Sequence, residues 1–216
     1  MVSWQEYRGP FQKTVGLFAR RLERKSVGPV HYKSGTLMCT LRLKDKARLL
    51  ALDTTDPVTY MSVAFNAGLS QAQNSDPTFG QGAAGYGKRF VAAATDQASS
   101  LFFKDFAYPA LFREDPRYYP LGEGGTGRRL RHVFKQAFVA HSENGRSMFN
   151  LSEWAGTISA ASLSNLYHPG NKRGFDPTAE NVAQSVGSDI GFNVLREFWP
   201  EIARKFHLPF RRPGQQ

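Results

Sequence analysis

From position 56 onward, stretches of helically spaced hydrophobic residues alternate with short breaks marked by glycine, proline or polar residues, and this pattern predicts an all-α fold. Asp56-Pro57 supplies an N-cap and a first-turn proline, and the helix it opens is expected to reach Ala72. A loop over residues 73–81, holding Asp76-Pro77 and Gly80, leads to a second helix from Gly82 to Lys104 or beyond, which Pro109 should kink or end. After a polar turn ending in Gly122, Gly124, Gly125 and Gly127, three further helices are expected over 127–140, 151–167 and 176–206, the last with a break at Pro200. The expectation is a bundle of about five helices in residues 46–208, a basic and largely irregular N-terminal arm over 1–45, and a C-terminal tail over 209–216. Within the arm a short helix at 11–25 and a short strand at 36–43 fit the pattern.

Small residues recur every fourth position inside the helices. Ala64, Gly68 and Ala72 form one such ladder, Ala83 and Gly87 a second, Ser152, Gly156, Ala160 and Ser164 a third, and Ala179, Ala183, Gly187 and Gly191 a fourth. Residues four apart share one helical face, so each ladder offers a smooth stripe that another backbone can approach. Glycine inside a helix costs about 0.5–1 kcal/mol relative to alanine, and a gain in packing is expected to offset it. The helix-packing positions expected on this ground are Gly68, Gly87, Gly156, Ala160, Ala183, Gly187 and Gly191. Val182, Val186, Ile190, Val194 and Phe198 widen the apolar face of the last helix, while Asn181, Gln184, Ser185, Ser188 and Asp189 make its other side polar. That helix is therefore expected at a boundary, half buried. A self-contained bundle and a bundle associated with a membrane both satisfy the ladders.

At 216 residues the chain can bury a core without help from metals or disulfides. The single cysteine, Cys39, excludes an internal disulfide and any zinc site built from several thiolates, and is expected to be a small buried hydrophobe. The net charge of +10 is uneven, since residues 1–50 hold eleven Lys/Arg against three Asp/Glu and the remainder hold seventeen against fifteen. A segment with Arg20, Arg21, Arg24, Lys25, Arg42, Lys44, Lys46 and Arg48 can attract phosphates, whether of nucleic acid or of anionic lipid. No stretch approaches the roughly 18 uninterrupted apolar residues of a spanning helix, because Asp96, Gln97, Lys104 and Asp105 interrupt the nearest candidate, residues 90–111. The N-terminus also lacks the apolar core of a signal peptide.

Candidate chemistry is sparse. Gly80-Gln81-Gly82-Ala83-Ala84-Gly85 has the letters of a dinucleotide fingerprint, but a polar segment precedes it where a strand is required, so helix packing is the expected role and no cofactor is expected. The glycine-rich turn at 122–127 can surround an anion with its amides, and Gly124, Gly125, Gly127, Arg128, Arg129 and Arg131 are the best anion-binding candidates. His31, His132, His141, His168 and His207 show no metal-binding spacing, so no metal is expected. No nucleophile motif is present and no catalytic residue is assigned. Glu114-Asp115-Pro116-Arg117-Tyr118-Tyr119 is expected to be a proline-fixed turn with Arg117 paired to a carboxylate, and the segment around Phe198 and Trp199 is expected in the core.

The words Phe79-Gly-Gln-Gly-Ala-Ala-Gly-Tyr-Gly-Lys-Arg-Phe90, Glu114-Asp-Pro-Arg-Tyr-Tyr119, Ser164-Asn-Leu-Tyr-His-Pro169 and Gly191-Phe-Asn-Val-Leu-Arg-Glu-Phe-Trp-Pro200, in this order over residues 53–202, resemble a family of bacterial, envelope-associated helical proteins with no assigned activity. The resemblance implies an envelope location and carries over no catalytic residue. Members of that family tend to begin with an export signal, whereas this chain begins with basic residues. The leading expectation is a non-enzymatic helical protein of the cell envelope that self-associates or touches a membrane. The alternatives are a nucleic-acid-binding protein acting through residues 1–45, and a helical enzyme with a polar site near Arg117, Arg128 and His132. A cytoplasmic location is the alternative to the envelope.

Overall fold

The computed structural model describes residues 12–27, 41–168 and 174–208. Cys39, His31, most of the strand expected at 36–43, most of the basic arm and the 209–216 tail lie outside the described residues. The fold is predominantly α-helical, as the hydrophobic spacing predicts. In chain order the helices are α1 (Gln12–Arg24), α2 (Leu43–Thr54), α3 (Pro57–Ala72), α4 (Gly82–Leu101), α5 (Tyr108–Phe112), α6 (Thr126–Gln136), α7 (Leu151–Ser164) and α8 (Phe175–Lys205). Among the described residues three short strands, β1 (Glu114–Asp115), β2 (Val139–Ser142) and β3 (Ser147–Phe149), form one sheet in the order β1-β2-β3.

The chain divides into two compact units. One comprises residues 41–114 and 151–186, the other residues 1–40, 115–150 and 187–216, and the boundary at Val186 falls inside α8. In the first unit α3 packs on α4, α4 on α7, and α2 and α7 on the segment that follows α4. α3 starts as expected, with Asp56 Oδ1 accepting the Val58 amide at 2.9 Å and Pro57 in the first turn. Pro109 does not end the second helix. A π-helical turn over Phe102–Ala107, in which the Tyr108 amide reaches back five residues to the Phe103 carbonyl, precedes it, and α5 continues to Phe112. Lys46 of α2, 1% exposed, donates to the Pro109 carbonyl at 2.8 Å, so a buried ammonium pins α2 to this turn. α2 itself was not anticipated: its sequence is charged and weakly amphipathic, and the first helix beyond the arm was expected only at Asp56-Pro57.

The second unit corrects the picture of the arm. The short helix expected at 11–25 is α1, and it belongs to a core rather than to an appendage, with Ala19 and Leu22 buried together with Trp199 and Ala203 of α8 and flanked by Phe18, Leu195 and Ile202. The Val27 amide donates to the Tyr118 carbonyl at 2.9 Å and the Tyr118 amide to the Lys25 carbonyl at 2.7 Å, tying the end of α1 to the proline turn. The expected break at Pro200 does not occur, and α8 runs through it. The missing amide of Pro200 forfeits one bond to the Arg196 carbonyl, and Trp199 and Ala203 on either side hold the turn by core packing. The third helix ends at Gln136, four residues earlier than expected, because β2 and β3 form an antiparallel hairpin with Ala140 opposite Met148. Gly145, at φ +74°, closes its loop in the left-handed region.

Candidate functional site

The residues that open the glycine-rich turn and Arg129 together hold a carboxylate of the same chain, Glu197. The amides of Leu121 and Gly122 donate to the two oxygens of Glu197 at 2.9 and 3.0 Å, Tyr118 Oη donates at 2.7 Å, and Arg129 Nε at 2.8 Å. Arg129, at the start of α6, also reaches Glu201 and the Glu197 carbonyl, and its guanidinium lies 4.1 Å from the centroid of the Phe198 ring. Burial alone would raise the Glu197 carboxyl, but the donors from Arg129, Tyr118, Gly122 and Leu121 hold it below its ordinary value. Burial and the Glu197 carboxylate in turn push the Tyr118 phenol up. Of the six residues expected to bind an anion only Arg129 takes part: it is turned inward and paired with Glu197, while Gly124, Gly125, Gly127, Arg128 and Arg131 are exposed.

Arg117 and His132, expected together in a polar site, do enter one network, without Arg128. Arg117 pairs with Asp115 through Nε at 2.9 Å and Nη2 at 2.6 Å, and Tyr119 Oη donates to the same carboxylate at 2.7 Å. His132 Nε2 lies 2.8 Å from the Tyr119 carbonyl and Gln136 Nε2 donates to that carbonyl at 2.6 Å, while the Tyr119 ring packs on His141 with centroids 4.3 Å apart. Burial lowers the pKa of His141, and the nearby Asp115 only partly offsets it. Every charge in this network is answered within it, which is the arrangement of a structural clasp.

The ladders separate into three kinds. Ser152, Gly156, Ala160 and Ser164 of α7 are all buried, and a Cβ on Gly156 would lie 2.7 Å from Lys104 Cγ and 3.2 Å from the Lys104 backbone. There the backbones approach closely, as a ladder requires. At Gly68 the nearest group is the edge of the Tyr86 ring at 3.9 Å, an ordinary contact. Gly87, Ala183, Gly187 and Gly191 are exposed, and a Cβ on Gly87, Gly187 or Gly191 would meet nothing within 4 Å among the described residues. In α8 the ladder is therefore exposed and does not meet another backbone among the described residues.

A cavity of about 150 Å³ was not anticipated. It lies in the first unit between α3, the 76–80 loop and α4, and is lined by Asn66, Ser70, Asp76, Arg89, Asp96 and His168, with Ala67, Phe79, Ala92 and Ala93 supplying apolar wall. Gly85 explains how the loop comes so close to α4, since a Cβ there would fall 2.3 Å from the Gly80 carbonyl oxygen. Arg89, 2% exposed, binds the Gly80 and Asp76 carbonyls at 2.6 and 2.7 Å. The glycine motif thus builds a cavity wall, with Gly80 and Gly82 at φ +76° and +75°. Asp96 is held by Tyr167 Oη at 2.6 Å and His168 Nε2 at 2.9 Å. Burial raises its carboxyl, but the hydrogen bonds from His168, Tyr167 and Ser164 outweigh that and leave it below its ordinary value. The signal available in the sequence was Asp96 itself, one of the charges that interrupt the apolar stretch 90–111. Among the described residues no group of three or more His, Cys, Asp or Glu side chains is placed to hold a metal ion.

Polarity in this first unit is partly inverted. Lys46, Asp53, Arg89 and Glu114 are at most 2% exposed, and Lys104 pairs with Glu153 at 2.9 Å in a largely buried position. Burial pushes the Glu114 carboxyl up, with hydrogen bonds from Ser152 and the charge of Lys46 opposing. Large apolar side chains, by contrast, face outward: Met61, Phe65 and Leu69 form a stripe at i, i+4, i+8 on α3 at 55%, 71% and 45% exposure, and Val91, Ile158 and Leu166 are also exposed. α3 carries no Asp, Glu, Lys or Arg at any of its 16 positions. Among the described residues no helix is long and apolar enough to cross a membrane. Comparison with protein-family models, with curated proteins and with solved structures finds no match to this chain.

Proposed function

We propose that this chain is a non-enzymatic helical protein of the bacterial cell envelope that lies against a lipid surface through the unit formed by residues 41–114 and 151–186. The observation that carries the reading is the uncharged α3, with Met61, Phe65 and Leu69 exposed along one face while Lys46, Asp53, Arg89 and Glu114 are buried. Apolar surface left in water costs about 25 cal/mol per Å², and a monomer in water seldom keeps a contiguous stripe of this kind uncovered. A bilayer surface covers it without demanding a spanning helix, since an apolar face can seat at the boundary between headgroups and acyl chains.

The test is co-sedimentation of the full chain with phosphatidylglycerol/phosphatidylcholine vesicles. The protein should pellet with the vesicles, and Phe65→Asp combined with Met61→Asp should leave most of it in the supernatant with an unchanged circular-dichroism spectrum. A wild-type chain that stays in the supernatant, either as a monomer or as a dimer that covers α3, refutes the membrane reading.

A further inference from the structure

The net charge of +10 belongs entirely to one of the two units. Residues 41–114 and 151–186 hold ten Lys/Arg against ten Asp/Glu, whereas residues 1–40, 115–150 and 187–216 hold eighteen against eight. Within that basic unit α6 carries no Asp or Glu at any of its 11 positions. One face of the helix is fixed in the protein, with Arg129, Val133 and Gln136 buried and Arg129 committed to Glu197 and Glu201. Arg128, Arg131 and Lys135 are exposed on the other side, and none of them makes an ion pair or a side-chain hydrogen bond among the described residues. The α1 cations differ, since Arg20, Arg21 and Arg24 each already have a partner. At 3.6 residues per turn, Phe134, Arg131, Lys135 and Arg128 follow one another around an arc of about 120°, and the three cations span about 10 Å along the axis. Arg128 and Arg131 are three positions apart and Arg131 and Lys135 four, like-charge spacings that weaken a helix in water. An anionic surface relieves both repulsions.

The character of the arc selects the anion. It is the convex face of a single helix, without the groove that tracks a single-stranded nucleic acid, and its exposed residues include no Asn or Gln to read a base edge. Phe134, 52% exposed, and Phe138, 51% exposed and four positions on, set apolar rings beside the cations. Basic side chains bordered by aromatic ones suit the plane where lipid headgroups meet acyl chains. We infer that the exposed face of α6 binds the headgroups of anionic phospholipids, with Arg128, Arg131 and Lys135 at the phosphates and Phe134 at the edge of the acyl layer. The inference deepens the lipid reading proposed above and rests on it: the unit that carries α3 is neutral overall and is indifferent to headgroup charge, and α6 supplies the preference.

The experiment is co-sedimentation of the full chain, in about 0.1 M salt, with phosphatidylcholine vesicles and with vesicles of equal parts phosphatidylglycerol and phosphatidylcholine. Each cation at an anionic surface strengthens binding about fivefold, so the three together account for up to about a hundredfold. The wild-type chain should prefer the mixed vesicles. Arg128→Gln/Arg131→Gln/Lys135→Gln should weaken that binding at least about tenfold and leave phosphatidylcholine binding unchanged. Lys13→Gln/Arg20→Gln/Arg24→Gln, which removes the same charge from α1, should weaken it less than about threefold. If the α6 triple variant does not fold, Lys135→Gln alone, with an expected loss of about fivefold, decides. Equal wild-type affinity for both vesicles overturns this inference and leaves the α3 contact standing, whereas pelleting with neither overturns both. Pelleting with the mixed vesicles alone, retained by Met61→Asp/Phe65→Asp, supports α6 and removes the α3 contact. Equal losses in the two triple variants, or a single-stranded oligonucleotide bound through α6 in place of the anionic vesicles, overturn the inference.

Discussion

Gly156 and Gly87 are both helical glycines at ladder positions in the same compact unit, and alanine should move the stability of that unit in opposite directions at the two sites. At Gly156 the new methyl would lie 2.7 Å from Lys104 Cγ. Lys104 cannot easily retreat, because its ammonium is held 2.9 Å from Glu153 in a position 11% exposed, and its own backbone is only 3.2 Å from the methyl. Overpacking of this kind costs about 1–3 kcal/mol, against a helix-propensity gain of about 1 kcal/mol for alanine over glycine, so Gly156→Ala should lose about 1 kcal/mol. At Gly87 nothing lies within 4 Å, so only the propensity gain operates and Gly87→Ala should be more stable by about 0.5–1 kcal/mol. For a chain of this length these are Tm changes of roughly 2–4 °C downward and a similar or smaller amount upward. Thermal melts followed by circular dichroism at 222 nm on the two variants and the parent chain read both signs. A Gly156→Ala chain that gains stability as Gly87→Ala does would refute the claim that backbones meet at the α7 ladder.

Other consequences follow from the internal anion site and from the titrating groups. Glu197→Gln keeps the shape of the acceptor but removes the charge that answers Arg129, so it should lose about 3–5 kcal/mol in urea unfolding, whereas Glu201→Gln, at a side chain 55% exposed, should change little. Glu197 and Asp96 both have folded-state pKa values below their ordinary ones, so the stability they confer is present above pH 4.5 and 3.8 respectively and should be lost as pH falls through the lower folded values. Glu114 has the opposite sign. Its raised carboxyl favours the folded state when protonated, so Glu114→Gln should remove a loss of stability that the parent chain suffers as pH rises above 4.5, visible as a flatter dependence of Tm on pH in that window.

The helices were legible because each rests on signals local in sequence. Asp56-Pro57 fixes the start of α3 by a side-chain cap and a preset φ, and helical hydrophobic spacing carries α4, α7 and α8. The errors fall where tertiary packing overrides a local signal. Pro200 is a helix breaker by its own chemistry, yet Trp199 and Ala203 are core residues, and their burial outweighs the one bond the proline forfeits. Pro109 is accommodated by a π turn set up by the preceding aromatic residues, where the rings of Phe102, Phe103 and Tyr108 pack with centroids 5.3–5.9 Å apart. The β2–β3 hairpin had a readable cue in Asn144-Gly145, but residues as ordinary as Val139 and Ala140 extend a helix on paper as readily as they start a strand.

The sites were less legible, and the reason is that a sequence states a residue's type but not what has already bound it. Arg129 beside a run of glycines reads as an anion-binding residue, and the geometry agrees, except that the anion arrives from Glu197 in a helix 68 positions away. The same holds for the ladders, since Gly156 and Gly187 are indistinguishable by spacing and only the presence of Lys104 over one of them makes it a contact. Gly85 shows the reverse case. Its motif imitates a dinucleotide loop, and its requirement for glycine is genuine, but what approaches is the Gly80 carbonyl rather than a pyrophosphate. That carbonyl binds Arg89, Arg89 also holds the Asp76 backbone, and the Asp76 side chain is left with one oxygen unanswered beside an apolar wall. Arg89 Nε beside it is likewise buried without a partner, so this wall leaves both an acceptor and a donor unanswered.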